Sequence, residues 1–238
     1  MRGSLFAALA SIALASPAAA TVVYSNNFNA ENGGNSALNY NGFNGLTVTD
    51  GTVDLVRSGD FGITCAGGAG SCVDLDGSTG DAGLTSSGSY AFNAGDRVGL
   101  SFLFSGNQRG GAVDFFRTRF DFASTVAGVF GSESTTLGSQ NYGAFNTSGA
   151  LRIDIFNIPS NFAMTDFEFY FIANNAGTVN FTFEDFGNDN IGVIIDNVVL
   201  DVTGVPEPSV WAMMILGFGV VGAATRKRRA GLTRIVSA

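Results

Sequence analysis

The 238-residue sequence contains no histidine, and its single lysine, Lys227, lies near the C-terminus. Without histidine, neither a Ser–His nor a Cys–His nucleophile can form, and the absence of lysine from the rest of the chain excludes Schiff-base chemistry there. A pair of carboxylates could still hydrolyse a glycosidic bond, but no motif marks out two particular acids. We therefore expect a protein that is not an enzyme, with a carboxylate-dependent glycoside hydrolase as one alternative.

Cysteine is also scarce. Cys65 and Cys72 are the two present, separated by the small residues AGGAGS. Two thiols alone make an incomplete zinc site, and no histidine is available to complete it. A metal or redox pair is the alternative, but in an exported chain we expect a structural disulfide between Cys65 and Cys72. In the chain-entropy model, closing so short a loop stabilises the fold by about 2–3 kcal/mol.

Positive charge is rare between Thr21 and Val205. Six arginines stand there against nineteen Asp and Glu residues, which gives this region a net charge of −13. The whole chain carries −8, because a basic cluster follows at Arg226–Arg229. Such an acidic domain repels phosphate backbones, so we expect no nucleic-acid partner and favour divalent cations.

The N-terminal segment 1–20 has the order of a secretory signal peptide. Arg2 precedes an apolar run from Leu5 to Ala15, and the segment finishes with small residues up to Ala20. This order predicts export and cleavage after Ala20, in preference to a short buried helix.

Short segments between residues 21 and 204 alternate between apolar and polar residues with a period of two. The segments are Asp166–Phe171, Val179–Asp185 and, less regularly, Arg117–Phe122 and Val98–Phe104; Ile191–Val202 is rich in β-branched residues. Polar, glycine-rich turns separate them, and no amphipathic pattern of twelve residues predicts a helix. We therefore predict an all-β domain over 21–204, a sandwich or barrel with a core of phenylalanine.

An acidic segment, CVDLDGSTGDAG at 72–83, places Asp74, Asp76 and Asp81 among glycines. Calcium prefers several oxygen ligands and tight turns, so this segment is partly similar to a calcium loop. It lacks the D-x-D-x-D-G run and the glutamate at the twelfth position of an EF-hand. We favour the other interpretation, a strand at Val73–Leu75 that leads into a polar turn.

Four segments carry a family resemblance over roughly Val22–Val202. They are FNAENGG at 28–34, VDLDG at 73–77, GSYAFNAGDRVGLSFLFSGNQRG at 88–110, and IDNV at 195–198. Together they resemble the jelly-roll carbohydrate-binding modules of the galactose-binding type. The resemblance implies a jelly-roll β-sandwich and a glycan ligand. It also implies a structural calcium shared by an early acid and an acid of the closing strand, which correspond to Glu31 and Asp196. Glu31 departs from the family pattern by lying three residues past Phe28 rather than next to it.

The C-terminal region contains GFGVVG at 217–222, which fits the G-x-G-x-x-G spacing of a dinucleotide loop. That loop requires a βαβ unit and an acid about 20 residues further on, and no acid follows here. The uncharged run Val210–Thr225 would instead form a helix of about 24 Å, a short span of a hydrocarbon core of about 30 Å. We predict a single transmembrane helix with the basic cluster on the cytoplasmic side.

Several features frame this apolar run. They are Pro206, Glu207 and Pro208 before the run, Trp211 at its start, and Arg226, Lys227, Arg228 and Arg229 after it. In this order they resemble the PEP-CTERM sorting signal, in its proteobacterial PEPxxWA variant. The resemblance implies exosortase as a partner, cleavage near the Pro-Glu-Pro motif, and delivery to the surface of a Gram-negative bacterium in association with exopolysaccharide or biofilm.

We expect the sorting signal at 205–229 and a cytoplasmic tail at 230–238. Two alternatives remain: a plain C-terminal anchor in place of the sorting signal, and a purely structural surface protein with no small ligand. A sugar platform would need a tyrosine or an exposed phenylalanine, because the only tryptophan, Trp211, lies in the tail.

Overall fold

The computed structural model describes residues 19–111, 113–135, 137, 140–187, 189–204, 215–222 and 226. The strands are β1 (Ala20–Asn26), β2 (Leu46–Thr49), β3 (Asp54–Arg57), β4 (Ser71–Asp74), β5 (Gly83–Ser86), β6 (Tyr90–Phe92), β7 (Arg97–Ser105), β8 (Asp114–Phe122), β9 (Val126–Glu133), β10 (Gln140–Thr147), β11 (Ala150–Ile158), β12 (Thr165–Ala173), β13 (Gly177–Asp185) and β14 (Ile194–Thr203). Short 3₁₀ turns lie at Glu31–Gly34, Asp60–Gly62 and Ala66–Gly68.

The strands form two antiparallel sheets. Sheet A has the order β10-β9-β12-β7-β14-β4-β3, and β1 pairs with β14 as its eighth strand. Sheet B has the order β11-β8-β13-β5-β2, and β6 pairs with β13 as its sixth strand. From β7 onward the chain passes repeatedly from one sheet to the other, as in a jelly roll. The predicted all-β jelly-roll sandwich is confirmed.

Alternation along the strands separates the core from the surface. In β8, Phe116 and Phe120 are fully buried, whereas Arg117 and Arg119 between them are partly exposed. The buried phenylalanines are Phe28, Phe43, Phe92, Phe102, Phe104, Phe116, Phe120, Phe122, Phe167, Phe169, Phe171, Phe181 and Phe183. They pack between the sheets; the ring centroid of Phe120, for example, lies 4.7 Å from that of Phe169. Burial of these rings is the main apolar contribution to the fold.

The disulfide forms as predicted. Cys65 and Cys72 are bonded, with their Cα atoms 5.5 Å apart, and both are buried. Cys72 lies in β4, so the bond ties the glycine-rich loop to sheet A.

The sandwich forms a compact unit over Ala20–Gly204. Residues 1–18 of the predicted signal peptide lie outside the described residues, and Ala20 is the first residue of β1. In the tail, residues 215–222 and Arg226 are helical and exposed. Within the part of the chain that the structure describes, no helix is long and apolar enough to cross a membrane. The remainder of the predicted transmembrane helix lies outside that part.

Candidate functional site

The outward face of sheet B concentrates arginines, acids and threonines. In the middle of β8 and β13, polar residues alternate with buried phenylalanines, so the side chains of Arg117, Arg119 and Asp121 point to the side opposite the core. Thr182 and Glu184 of β13 point to the same side. We call this surface the arginine–acid face and define it by Arg117, Arg119, Asp121, Asp154, Thr182 and Glu184, of which Thr182 is fully buried and Glu184 is largely buried.

The charged groups of the arginine–acid face form a continuous network. Arg117 donates through Nε to Asp154 Oδ1 at 2.6 Å, and its Nη1 lies 3.7 Å from Glu184 Oε2. Arg119 donates to Glu184 through Nη1 and to Asp121 Oδ2 through Nε at 3.0 Å. The hydrogen bond with Asp154 raises the pKa of Arg117 above its ordinary value. The network therefore holds fixed, charged donors and acceptors at a partly exposed surface.

Hydroxyl groups extend this network across the sheet. Thr182 donates to Asp121 Oδ2 at 3.0 Å, and the Thr182 hydroxyl is 3.1 Å from that of Thr85. Thr85 in turn lies 3.4 Å from the hydroxyl of Thr49 in β2. The polar row thus runs from β11 to β2, a width of about 19 Å for five strands at 4.7–4.9 Å spacing.

Aromatic rings lie at one end of the arginine–acid face. Phe115 and Phe186 are half-buried and stack with ring centroids 5.2 Å apart. The guanidinium of Arg117 lies 5.0 Å from the centre of the Phe186 ring and 5.5 Å from that of Phe115. Apolar ring surface beside fixed polar groups is the usual composition of a site that orients a polar ligand.

A second surface, on the outward face of sheet A, contains two tyrosines. Tyr142 is 58% exposed, and its hydroxyl lies 3.2 Å from that of Tyr170. Both hydroxyls donate to Glu133, and the guanidinium of Arg97 stacks 4.1 Å from the centre of the Tyr170 ring. We call Tyr142 and Tyr170 the tyrosine patch. It is smaller than the arginine–acid face, but it offers the kind of platform that the sequence leaves open.

Glu31 and Asp196, predicted to share calcium, are both buried but contact different donors. The Glu31 carboxylate accepts from Asn26 Nδ2 at 2.7 Å and from the Asn44 backbone N–H at 2.8 Å. Asp196 accepts from the backbone N–H groups of Ala66 and Asn197. Burial raises the pKa of Asp196 to about 6. Because these donors already occupy both carboxylates, the surroundings do not favour a shared ion, and calcium at this pair stays a prediction.

The acidic segment 72–83 begins within strand β4 and continues into a turn. β4 ends at Asp74, which accepts from the Gly192 backbone N–H at 2.8 Å and pairs with Arg109. Asp76 follows as a fully buried side chain. The sequence therefore locates the turn, but the partners of its acids come from distant segments.

A surface depression of about 510 Å³ lies beside the disulfide loop. Gln108, Phe162 and Met164 contribute to its wall, and no charged residue lines it. It is separate from the arginine–acid face, where the charged groups are concentrated, so we place the candidate site on the face and not in this depression.

Comparison with solved structures finds several carbohydrate-binding modules. The CBM22-1 xylan-binding domain of Paenibacillus barcinonensis Xyn10C is 12% identical, with a TM-score of 0.45, over 81% of this chain and 100% of that chain. The C-terminal family 22 module of Clostridium thermocellum Xyn10B is 16% identical, with a TM-score of 0.29, over 78% and 96%. The bacteriophage CBA120 tailspike protein 4 domain is 13% identical, with a TM-score of 0.34, over 68% and 19%. No curated protein sequence matches this chain.

The predicted sorting residues lie mostly outside the described residues. Those outside are Pro206, Glu207, Pro208, Trp211, Lys227, Arg228 and Arg229, whereas Arg226 is helical and exposed. The sequence comparison covers all of them, because the family model of the PEP-CTERM protein-sorting motif matches residues 204–229. This motif implies processing by an exosortase and indicates an exported, membrane-anchored precursor. The C-terminal region of the chain is therefore a PEP-CTERM protein-sorting motif.

Proposed function

We propose that this protein is a bacterial surface protein whose sandwich binds polysaccharide through the arginine–acid face. The single observation that carries the proposal is the polar network across five strands of sheet B, with the Phe115–Phe186 stack at its end. Sugars present hydroxyls that exchange hydrogen bonds with such groups and C–H faces that pack on aromatic rings. The sorting motif supports a location where polysaccharide is abundant, in an exopolysaccharide or biofilm matrix.

The same geometry argues against the hydrolase alternative. A glycosidase needs one carboxyl group that stays protonated to donate to the leaving group. On the arginine–acid face, Asp121, Asp154 and Glu184 each form an ion pair with an arginine, so none of the three stands without a charged partner as a candidate proton donor. We therefore keep the expectation that the protein is not an enzyme, and the purely structural surface protein remains the competing proposal.

A retention assay tests polysaccharide binding. Full-length protein in detergent is mixed with a panel of insoluble bacterial and plant polysaccharides, and the bound fraction is measured. The double variant Arg117→Lys and Arg119→Lys keeps the charge of the face but loses the planar guanidinium fork. We expect it to bind at least tenfold more weakly, about 1.4 kcal/mol.

The matched control is Arg97→Lys, which alters an arginine–glutamate pair on the other sheet. If the double variant is folded by circular dichroism and binds polysaccharide as strongly as the wild type, the arginine–acid face is not the binding site. If only Arg97→Lys and Tyr142→Ala lose polysaccharide binding, the binding site lies on the tyrosine patch instead. Failure to bind any polysaccharide would support the purely structural alternative.

A further inference from the structure

Three buried aspartates converge at one end of the sandwich. Asp76 follows β4 of sheet A, Asp114 begins β8, and Asp185 ends β13 of sheet B. Their exposed fractions are 0%, 1% and 1%. Because β8 and β13 are antiparallel, with Asp185 opposite Phe116, the start of one and the end of the other lie together.

The three carboxylates come close together beside Gly187. A Cβ atom placed on Gly187 would lie 2.9 Å from Asp76 Oδ2, 3.2 Å from Asp114 Oδ1 and 3.5 Å from Asp185 Oδ1. Three carboxylate oxygens from three separate segments therefore face one point.

The three oxygens that face this point, Asp76 Oδ2, Asp114 Oδ1 and Asp185 Oδ1, have no hydrogen-bond partner. The other oxygen of Asp76 has none either. Asp114 and Asp185 each have one carboxylate oxygen in a hydrogen bond. Asp114 Oδ2 accepts from Asn107 Nδ2, and Asp185 Oδ2 accepts from the Val193 backbone N–H at 2.7 Å. These two bonds orient the carboxylates and leave the free oxygens directed at the shared point, the arrangement that fixes metal ligands.

No positively charged side chain in the described ranges pairs with this cluster. The nearby Arg109 pairs with Asp74, and among the described residues no ion pair reaches Asp76, Asp114 or Asp185. Buried carboxylates without a partner are costly, because burial removes their hydration. Burial, together with the charge of Asp76, raises the pKa of Asp185 to about 8. Burial and three neighbouring acids raise the pKa of Asp76 to about 7.

We propose that Asp76, Asp114 and Asp185 bind a calcium ion that links sheet A to sheet B. Calcium takes six to eight oxygen ligands in irregular geometry at 2.3–2.6 Å, so backbone carbonyls or water would complete the three carboxylates. Magnesium fits less well, because it demands a regular octahedron and loses its water reluctantly. In the described part of the chain, no group of three or more Asp, Glu, His or Cys residues is placed to hold a metal ion as it stands. Calcium binding would therefore require the three aspartate side chains to move closer together beside Gly187.

Calcium titration of the full-length protein tests the site. The protein in detergent is treated with EDTA, freed of it, and titrated with CaCl₂ or MgCl₂ in a calorimeter. We expect one calcium per chain and weaker binding of magnesium. At 5 mM calcium, about a hundredfold above a Kd of the order of 50 µM, the melting temperature should rise by about 5–10 °C.

Two variants locate the ion. Asp76→Asn and Asp185→Asn should each weaken calcium binding at least tenfold and abolish the thermal shift. In EDTA their melting temperatures should stay equal to that of the wild type or rise, because each variant replaces a buried acid that has no charged partner with a neutral amide of the same size. A purely structural role for these aspartates would lower the melting temperature in EDTA. Asp60→Asn, which removes an exposed acid, should keep the full calcium response.

Several results would overturn the proposal. They are the absence of calcium binding by the unaltered chain, a calcium response that survives both variants, and a response lost only in Glu31→Gln and Asp196→Asn. The last result would place the ion at the pair that the sequence resemblance implies. If Asp185→Asn does not fold, Asp76→Asn still decides, because Asp76 has no hydrogen-bonded side-chain oxygen to lose.

Discussion

A methyl group at Gly187 would test whether the three converging aspartates bind calcium, because it changes the space between them and not their charge. The Cβ of Gly187→Ala would lie 2.9 Å from Asp76 Oδ2, so the carboxylate must shift and the space between the three oxygens is filled by an apolar atom. The backbone of Gly187 is outside the left-handed region, so alanine is tolerated there. In EDTA, the gain of about 0.4–1 kcal/mol from a stiffer unfolded chain offsets the close contact, and stability should change by about 1 kcal/mol or less.

In calcium the same variant should behave differently. Calcium at a hundred times its Kd stabilises the wild type by about 2.7 kcal/mol, which corresponds to about 5–10 °C for a domain of this size. Gly187→Ala should lose most of this shift when melting is followed by circular dichroism with EDTA and with 5 mM CaCl₂. Gly149→Ala is the matched control, because its Cβ meets one atom at an ordinary 3.8 Å. A full calcium shift in Gly187→Ala would refute the position that we assign to the ion.

Three further predictions concern the disulfide, the core and the sorting motif. Replacement of Cys65 and Cys72 by alanine should lower the free energy of unfolding by about 2.5 kcal/mol, measured by urea denaturation; an unchanged value would contradict the loop-closure estimate. Phe120→Ala should cost about 3–5 kcal/mol in the same assay, whereas Phe61→Ala, at a side chain 52% exposed, should cost about 0.5 kcal/mol or less. Alanines at Pro206–Pro208 should leave an uncleaved, membrane-bound precursor on immunoblots of cells that contain an exosortase; normal processing would argue against recognition of this motif.

Much of the fold could be predicted from the alternation of residues within single strands. Asp166–Phe171 lies within β12 and Val179–Asp185 within β13, because each buries its phenylalanines on one side. The start of the last strand is predicted less accurately: the β-branched run begins at Ile191, but β14 begins at Ile194. Its start is delayed because the backbone N–H groups of Gly192 and Val193 bond to aspartate side chains instead of a neighbouring strand.

The sites could be predicted only in part, because their residues meet through pairing between strands that are distant in sequence. The alternating RTRFDF of β8 does reveal that Arg117, Arg119 and Asp121 share a face. It cannot reveal that β13 places Glu184 opposite Arg117. Similarly, the acidic segment 72–83 draws attention to Asp76, but its neighbours in the fold come from the ends of two other strands.

The central position of β14 has a mechanical consequence. This last strand pairs with β7 on one side and with β4 and β1 on the other, and the sorting motif begins directly after it, at residue 204. A pulling force applied at Gly204 in the direction of β14 would load its hydrogen bonds with both neighbours at once, in shear. Many bonds must then break together, whereas a strand peeled from an edge would lose them singly. A protein held at its C-terminus against flow would therefore resist unfolding at the point where the load arrives.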